Sequence, residues 1–364
     1  MSTTLETLPP QELIDHIGST YLGTPGGLQY HHATGIDKLQ NMKTCYFVFL
    51  RRSGKMLGSI GYTLRDTHAG EATYRCWLVR YFAIKAPLRT DKLSRKQRKK
   101  RPVKDRSVSL VKNMANFFHD NPQRLIDPNT TEMPKAILYS LVEKKNERSR
   151  NFAEIGGYEK TGDVVSFMFS RLKKRRRAGV ERLKREEIPE MRSLLKEFHS
   201  DHAFYLEDNL FLNDDYYVLR ENGEIVAGLQ VNEEVWEIKT IGNATFDRFV
   251  KLLTRIPFIG KRFRYEEMRF LGVEGIFFGE GRGDAVYTLL EGVLALKDHY
   301  LALMIMDIRS SVYLNFKNRG RLGPVNTVLG TFDGDIYTRF YSFPEEEKKK
   351  VSAMPAYISI FDNT

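Results

Sequence analysis

The residue types of this chain point most directly to chemistry in the stretch Gly279-Glu280-Gly281-Arg282-Gly283-Asp284-Ala285. Its three glycines let backbone N–H groups approach a ligand that side chains would hold away. Ala285, Val286, Leu289, Leu290, Val293 and Leu296 recur at helical spacing, which predicts a helix from Asp284 to about Lys297. The positive end of that helix, beside glycine backbone, suits a phosphate. Phe270–Phe278 before it and Leu301–Asp307 after it are apolar, aromatic and β-branched enough to be buried strands, so the unit reads strand, turn, helix, strand. Glu274 is the sole carboxylate within Phe270–Phe278.

Other chemistry-bearing residues carry less. His31 and His32 adjoin, but no carboxylate or cysteine stands at metal-ligand spacing, so they read as residues of a loop over Gly23–Asn41 and no metal site is expected. Cys45 and Cys76 fall in expected strands and read as reduced core residues. Asp201 and His202 read as a loop pair after a helix, and Tyr287 and Tyr313 as aromatic core or rim.

The elements that must position these residues fall into two similar series. A helix over Pro9–Tyr21 precedes strands Cys45–Leu50 and Met56–Leu64, joined by a hairpin turn, and then strand Tyr74–Ile84. A helix is expected over Val108–Phe118, then strands Ala136–Val142 and Val164–Phe169. After Lys173–Arg177, which reads as a linker, come a short strand Val180–Leu183, a helix Ile188–Phe198 and a hairpin of Tyr216–Leu219 with Glu224–Val231. The two hairpins repeat one spacing, which argues for internal duplication. Asn243–Arg264 reads as a helical insertion, and Thr327–Phe332 with Asp335–Phe340 as a closing hairpin over Asp333-Gly334.

After Ala136–Val142 the chain reads Asn146-Glu-Arg-Ser-Arg-Asn-Phe-Ala-Glu-Ile-Gly-Gly-Tyr158. This resembles the acyl-CoA N-acyltransferases of the GNAT family, whose fifth strand is followed by Asn-x-x-Ala, an apolar residue with a tyrosine, and Gly-Phe. Asn146, Ser149, Phe152, Gly157 and Tyr158 fall on those positions. The glycine turn is similar to the family's pyrophosphate loop, where glutamine or arginine stands three residues before Gly-x-Gly or Gly-x-Ala. Gly283-Asp284-Ala285 fits with Glu280 in the first place, and Gly281-Arg282-Gly283 fits with Phe278 there.

The resemblance implies an α/β (α+β) chain of two GNAT-like domains, each a mixed, mostly antiparallel sheet flanked by helices. Residues 1–172, with a basic insertion at 90–106, would form the first, and residues 178–364, with the acyl-CoA site, the second. It implies acetyl-CoA or another acyl-CoA as substrate and an unidentified amine as acceptor. Phe278, Gly279, Gly281, Arg282, Gly283, Asp284 and Ala285 would surround the pyrophosphate, and Glu274 would be the general base, with Glu233, Glu234 and Glu237 as solvated strand residues or alternatives to it. The tyrosine that protonates the departing thiolate in the family falls on Ala153 in the first half and on Phe316 in the second, and neither can donate a proton.

With 364 residues, 41% of them hydrophobic, the chain can build two ordinary cores. Its net charge of +11 and pI of about 9.4 favour an anionic partner: CoA phosphates, nucleic acid or an anionic lipid surface. Much of the excess lies in Lys92–Arg106, which stands where the first half would carry its phosphate loop and holds no glycine; a second cluster is Arg171–Arg177. No basic, apolar leader opens the sequence and no stretch approaches a membrane span, so a cytoplasmic protein without an integral membrane segment is expected. Two other functions stay open: a catalytically degenerate protein binding nucleic acid or lipid through Lys92–Arg106, and a tRNA-dependent aminoacyl transferase.

Overall fold

A computed structural model describes residues 2–23, 27–40, 44–84 and 117–360. The first half runs β1 (Ser2–Glu6), α1 (Gln11–Gly18), β2 (Gln29–His32), α2 (Gly35–Gln40), β3 (Cys45–Arg52), β4 (Lys55–Ala69), β5 (Ala72–Ile84), β6 (Ala136–Glu143), α3 (Glu147–Ile155) and β7 (Glu159–Ser170). The second runs β8 (Val180–Arg182), α4 (Ile188–Phe198), β9 (Tyr216–Glu221), β10 (Glu224–Thr240), α5 (Ala244–Thr254), α6 (Pro257–Gly260), β11 (Met268–Phe278), α7 (Gly283–Leu296), β12 (Leu301–Asp307), α8 (Ser311–Arg319), α9 (Pro324–Leu329), β13 (Phe332–Tyr341) and α10 (Glu345–Ala353). Lys92–Arg106, and the expected helix after it up to residue 116, lie outside the described residues.

The strands form one mixed sheet in the order β1-β3-β4-β5-β6-β13-β7-β12-β11-β10-β9-β8, with β2 added on β10. The final strands are exchanged. β13, from the second half, pairs with β6 of the first, and β7 of the first pairs with β12 of the second. Their side chains follow: Tyr337 and Tyr341 pack into the first half's core with Trp77 and Leu138, while Val165, Phe167 and Phe169 pack into the second half's with Leu289 and Met304. The apolar face of α7, through Val286, Leu289, Leu290 and Val293, closes the second core as its periodicity requires. Cys45 and Cys76 are buried free thiols.

The structure corrects three local expectations. Gly23–Asn41 is not only loop, because β2 and α2 lie within it. Thr327–Phe332 and Asp335–Phe340 are not a hairpin; α9, capped by glycines, takes the first half of the former, and β13 runs straight through Asp333-Gly334. Gly334 fits there because it lies between β6 and β7, where a side chain would meet Val164 Cγ2 at 2.9 Å. Glu234 is not a solvated strand residue: it is 2% exposed and gathers the β2–α2 segment.

Glu234 lies 3.2 Å from His32 Nε2, accepts from Thr34 Oγ1 at 2.8 Å and pairs with Lys38. Burial pushes the His32 pKa down, and the hydrogen bond and charges of His32 and Lys38 hold the Glu234 carboxyl below its ordinary value against its own desolvation. The residues are scattered in sequence, and β10 brings them together through the register Trp236↔His32. Replacing Glu234 by leucine removes the buried carboxylate that Lys38, His32 and Thr34 share and should cost about 3–5 kcal/mol. Urea unfolding checks this, and Glu234→Leu combined with Lys38→Met should recover most of the loss.

Candidate functional site

Two pairs of parallel neighbours in the sheet part from each other. β5 and β6 pair from Arg75↔Ala136 to Leu78↔Tyr139 and no further. β11 and β12 pair from Leu271↔Ala302 to Val273↔Met304. Just past each parting point the strand carries a bulge. On β5 the register with β4 shifts between Ser59 and Gly61, and Tyr81 takes a φ of 52°. On β11 the register with β10 shifts between Gly228 and Gln230, and Gly275 takes a φ of 58°. An extra residue in one strand of a pair bends it away from its other neighbour, which leaves strand-edge amides and carbonyls open to an extended ligand.

The first parting opens a cleft of about 220 Å³ walled by Arg80, Tyr81, Phe82, Ser140, Glu143 and Ser149, with Ala153 and Tyr158 behind. Asn146 caps α3 by accepting from the Ser149 N–H at 3.1 Å, and Phe82 stacks on Phe152 at 4.0 Å, so the sequence motif fixes the cleft wall. Ser59 Oγ donates to the Tyr81 carbonyl at 3.1 Å and holds the bulge. Arg80 brings a cation that is 8% exposed.

The second parting encloses about 40 Å³, bordered by His199, His202, Glu274, Tyr357 and Ser310. The chain's own tail fills it. Ala203 N–H donates to the Pro355 carbonyl, Tyr357 N–H to the Ala203 carbonyl, and the Ala356 N–H to Asp307 Oδ2 at 3.0 Å. The tail also takes the bulge amide, since Gly275 N–H donates to the Tyr357 hydroxyl at 3.2 Å.

No family model and no curated protein sequence matches the chain. Solved structures do match. One of Saccharomyces cerevisiae N-myristoyltransferase with bound myristoyl-CoA aligns with a TM-score of 0.53 at 11% identity, over 94% of this chain and 83% of that one. A second, with bound myristoyl-CoA and inhibitors, gives 0.54 at 11% identity over 94% and 81%. The chain has a GNAT-type fold like that of N-myristoyltransferase. Parted parallel strands with a bulge, once in each half, are the form this fold takes here.

The residues singled out in the second half stand around its glycine turn, where neighbours hold most of them. Arg282 pairs with Glu221, and Asp284 with Arg321 at 2.8 Å. Gly283 starts α7 against Asn315, whose Nδ2 donates to its carbonyl at 2.9 Å; a Cβ there would meet Asn315 Oδ1 at 2.2 Å. Phe278 ends β11 and Gly279 follows it, Gly281 is exposed with open space around it, and Ala285 is buried. Glu274 is 3% exposed, accepts from Asn232 Nδ2 at 2.8 Å and from the Ser359 hydroxyl, and faces the tail. Glu274 on β11 and Arg80 on β5 hold matching bulge positions, opposite Gln230 and Gly61, yet they stand five strand spacings apart, roughly 24 Å along the sheet.

Sequence reading missed His119. It is fully buried behind the first cleft, with Nε2 3.4 Å from the Tyr158 hydroxyl, and its carbonyl accepts from the Tyr341 hydroxyl. The rings of Tyr62, Phe152 and Tyr158 meet it edge-on. His202, expected in a loop pair without a role, is 2% exposed, with Nδ1 2.5 Å from Asp201. Among the described residues no cluster of histidine, cysteine and carboxylate is placed to hold a metal.

Burial, reinforced by Arg339, lowers the His119 pKa from 6.5 to about 3. The unfolded chain therefore takes up a proton below pH 6.5 that the folded chain refuses until about pH 3. Stability should fall as pH drops through that window and be untouched above it. In His119→Phe that part of the pH dependence should vanish, as denaturant melts at stepped pH would show.

Proposed function

We propose that the protein is an acyl-CoA-dependent N-acyltransferase that holds its thioester arm between β5 and β6. The observation that carries this reading is the first parting itself, a cleft between parallel strands into which no other described segment of the chain is hydrogen-bonded across the gap. The extended amide-bearing arm of an acyl-CoA can pair with the strand edges that diverge beyond Leu78 and Tyr139, as an added strand does. A backbone N–H at the Tyr81 bulge is suited to the oxyanion that forms when an amine attacks the thioester carbonyl. The attacking amine bonds to that carbon and loses a proton to solvent water, and the carbon–sulfur bond breaks to release a thiolate. Ala153 supplies no proton to it, and the buried Arg80 cation in the same wall stabilises its charge instead. Support comes also from the fold, since the similar N-myristoyltransferase was solved with bound myristoyl-CoA.

A second reading keeps the thioester in the second half, with Gly279–Ala285 on the pyrophosphate and Glu274 as base. Glu274 favours it by standing buried beside the smaller cavity, and it requires residues 356–359 to leave the parting. The acceptor in either case is an amine of unassigned structure.

Thermal-shift titration with CoA, acetyl-CoA and a longer acyl-CoA separates the readings, because a ligand at 100 times its Kd adds about 2.7 kcal/mol of stability. Ser149→Trp fills the first cleft from its helix wall, and Gly281→Asp puts a carboxylate on the turn without a clash; Gly283→Asp is unsuitable because of Asn315. A saturable shift lost in Ser149→Trp and kept in Gly281→Asp is the expected outcome. The reverse pattern moves the site to the second half. Absence of a shift with every acyl-CoA rejects both and returns the weight to an anionic partner for Lys92–Arg106.

A further inference from the structure

The two halves close the same hairpin differently. β4 turns directly into β5 at Gly70-Glu71, whereas β10 reaches β11 through residues 241–267, which carry α5 and α6. The fold does not need the excursion, since the first half does without it. The inner side of α5 is spent on the body of the protein. Phe246 and Val250 join the cluster around Trp236 and Phe270, and Asp247 accepts from the Ile241 N–H at 2.8 Å and from the Tyr265 hydroxyl.

The outer side is apolar where a solvated helix would be polar. Phe249 and Leu252, spaced i, i+3 on α5, are 50% and 63% exposed, Ile256 in the link to α6 is 46% exposed, and Phe258 in α6 is 49% exposed. Exposed residues Arg248, Arg255 and Lys261 flank this row. From residue 244 to 264 the sequence holds six lysines and arginines and one carboxylate, the buried Asp247. Glu266 and Glu267 lie beyond it, Glu267 held by Arg269 at Oε1. Arg262 covers the Phe258 ring at 3.7 Å and donates through Nε to the Leu172 carbonyl at 2.9 Å, which sets the basic Lys173–Arg176 segment alongside.

We propose that α5 and α6 form a docking surface for an anionic lipid bilayer. Phenylalanine, leucine and isoleucine side chains enter the boundary between headgroups and acyl chains, while the flanking cations meet lipid phosphates and carboxylates. Nucleic acid fits less well, because a polyanion in water repays cations and stacking aromatics but not exposed leucine and isoleucine. The proposal is independent of where acyl-CoA binds.

Flotation of the full chain with vesicles of phosphatidylcholine, alone or with phosphatidylserine, tests it. Two variants are compared: Phe249→Ser with Phe258→Ser, and Arg248→Gln with Arg255→Gln and Lys261→Gln. All five side chains are exposed, so melting temperatures should stay near that of the parent and certify folding. Binding is expected to phosphatidylserine vesicles, weakened about tenfold or more by either variant. No vesicle binding, or binding that both variants leave unchanged and Lys92–Arg106 therefore accounts for, overturns the proposal. Loss with the charge variant alone, together with binding to single-stranded RNA, overturns it in favour of nucleic acid.

Discussion

Strand donors and acceptors buried inside a sheet must be paired, and the seat of β7 between β13 and β12 is the pairing on which both halves depend. Each half ends in a strand that the other half uses. Withdraw β13 and the first half loses the ladder along β6 and the aromatic rings of Tyr337 and Tyr341; withdraw β7 and the second loses the ladder along β12 and Phe167 and Phe169. The exchange also sets the geometry of the partings. Three antiparallel steps separate β6 from β12, so the parallel pairs β5–β6 and β11–β12 run in opposite directions and part toward opposite edges of the sheet.

Within this common frame the halves have become unequal at matching points. The bulge that presents Arg80 in one half presents Glu274 in the other, and a cation in a wall does different work from a carboxylate. Ser59 holds the first bulge carbonyl; the Tyr216 hydroxyl holds the second, on Gly275, at 2.8 Å. The larger difference comes from the end of the chain. The tail that follows α10 bonds to Ala203, Asp307 and Gly275 and fills one parting, whereas no described segment fills the other. No helix among the described residues is long and apolar enough to cross a membrane.

Legibility in the sequence followed the range of the interactions involved. The α7 periodicity, the paired hairpins and the helical insertion were readable because each is decided within a few residues or by a repeated pattern. The segment Gly23–Asn41 was not, because β2 is a strand only where β10 offers it an edge, and its short polar sequence has no alternation of its own. The expected hairpin at Asp333-Gly334 was misread because a glycine between two hydrophobic runs marks a turn locally, and only neighbours on both sides make it a strand.

The sequence by itself determined most of the helices and strands, since propensity and periodicity are local properties. Tertiary structure decided the exchange of final strands, the burial of Glu234, His119 and Glu274, and which parting the described tail fills. Those outcomes depend on residues far apart in the chain, such as Glu234 with Lys38 and Gly275 with Tyr357, meeting through sheet register, which no single stretch encodes.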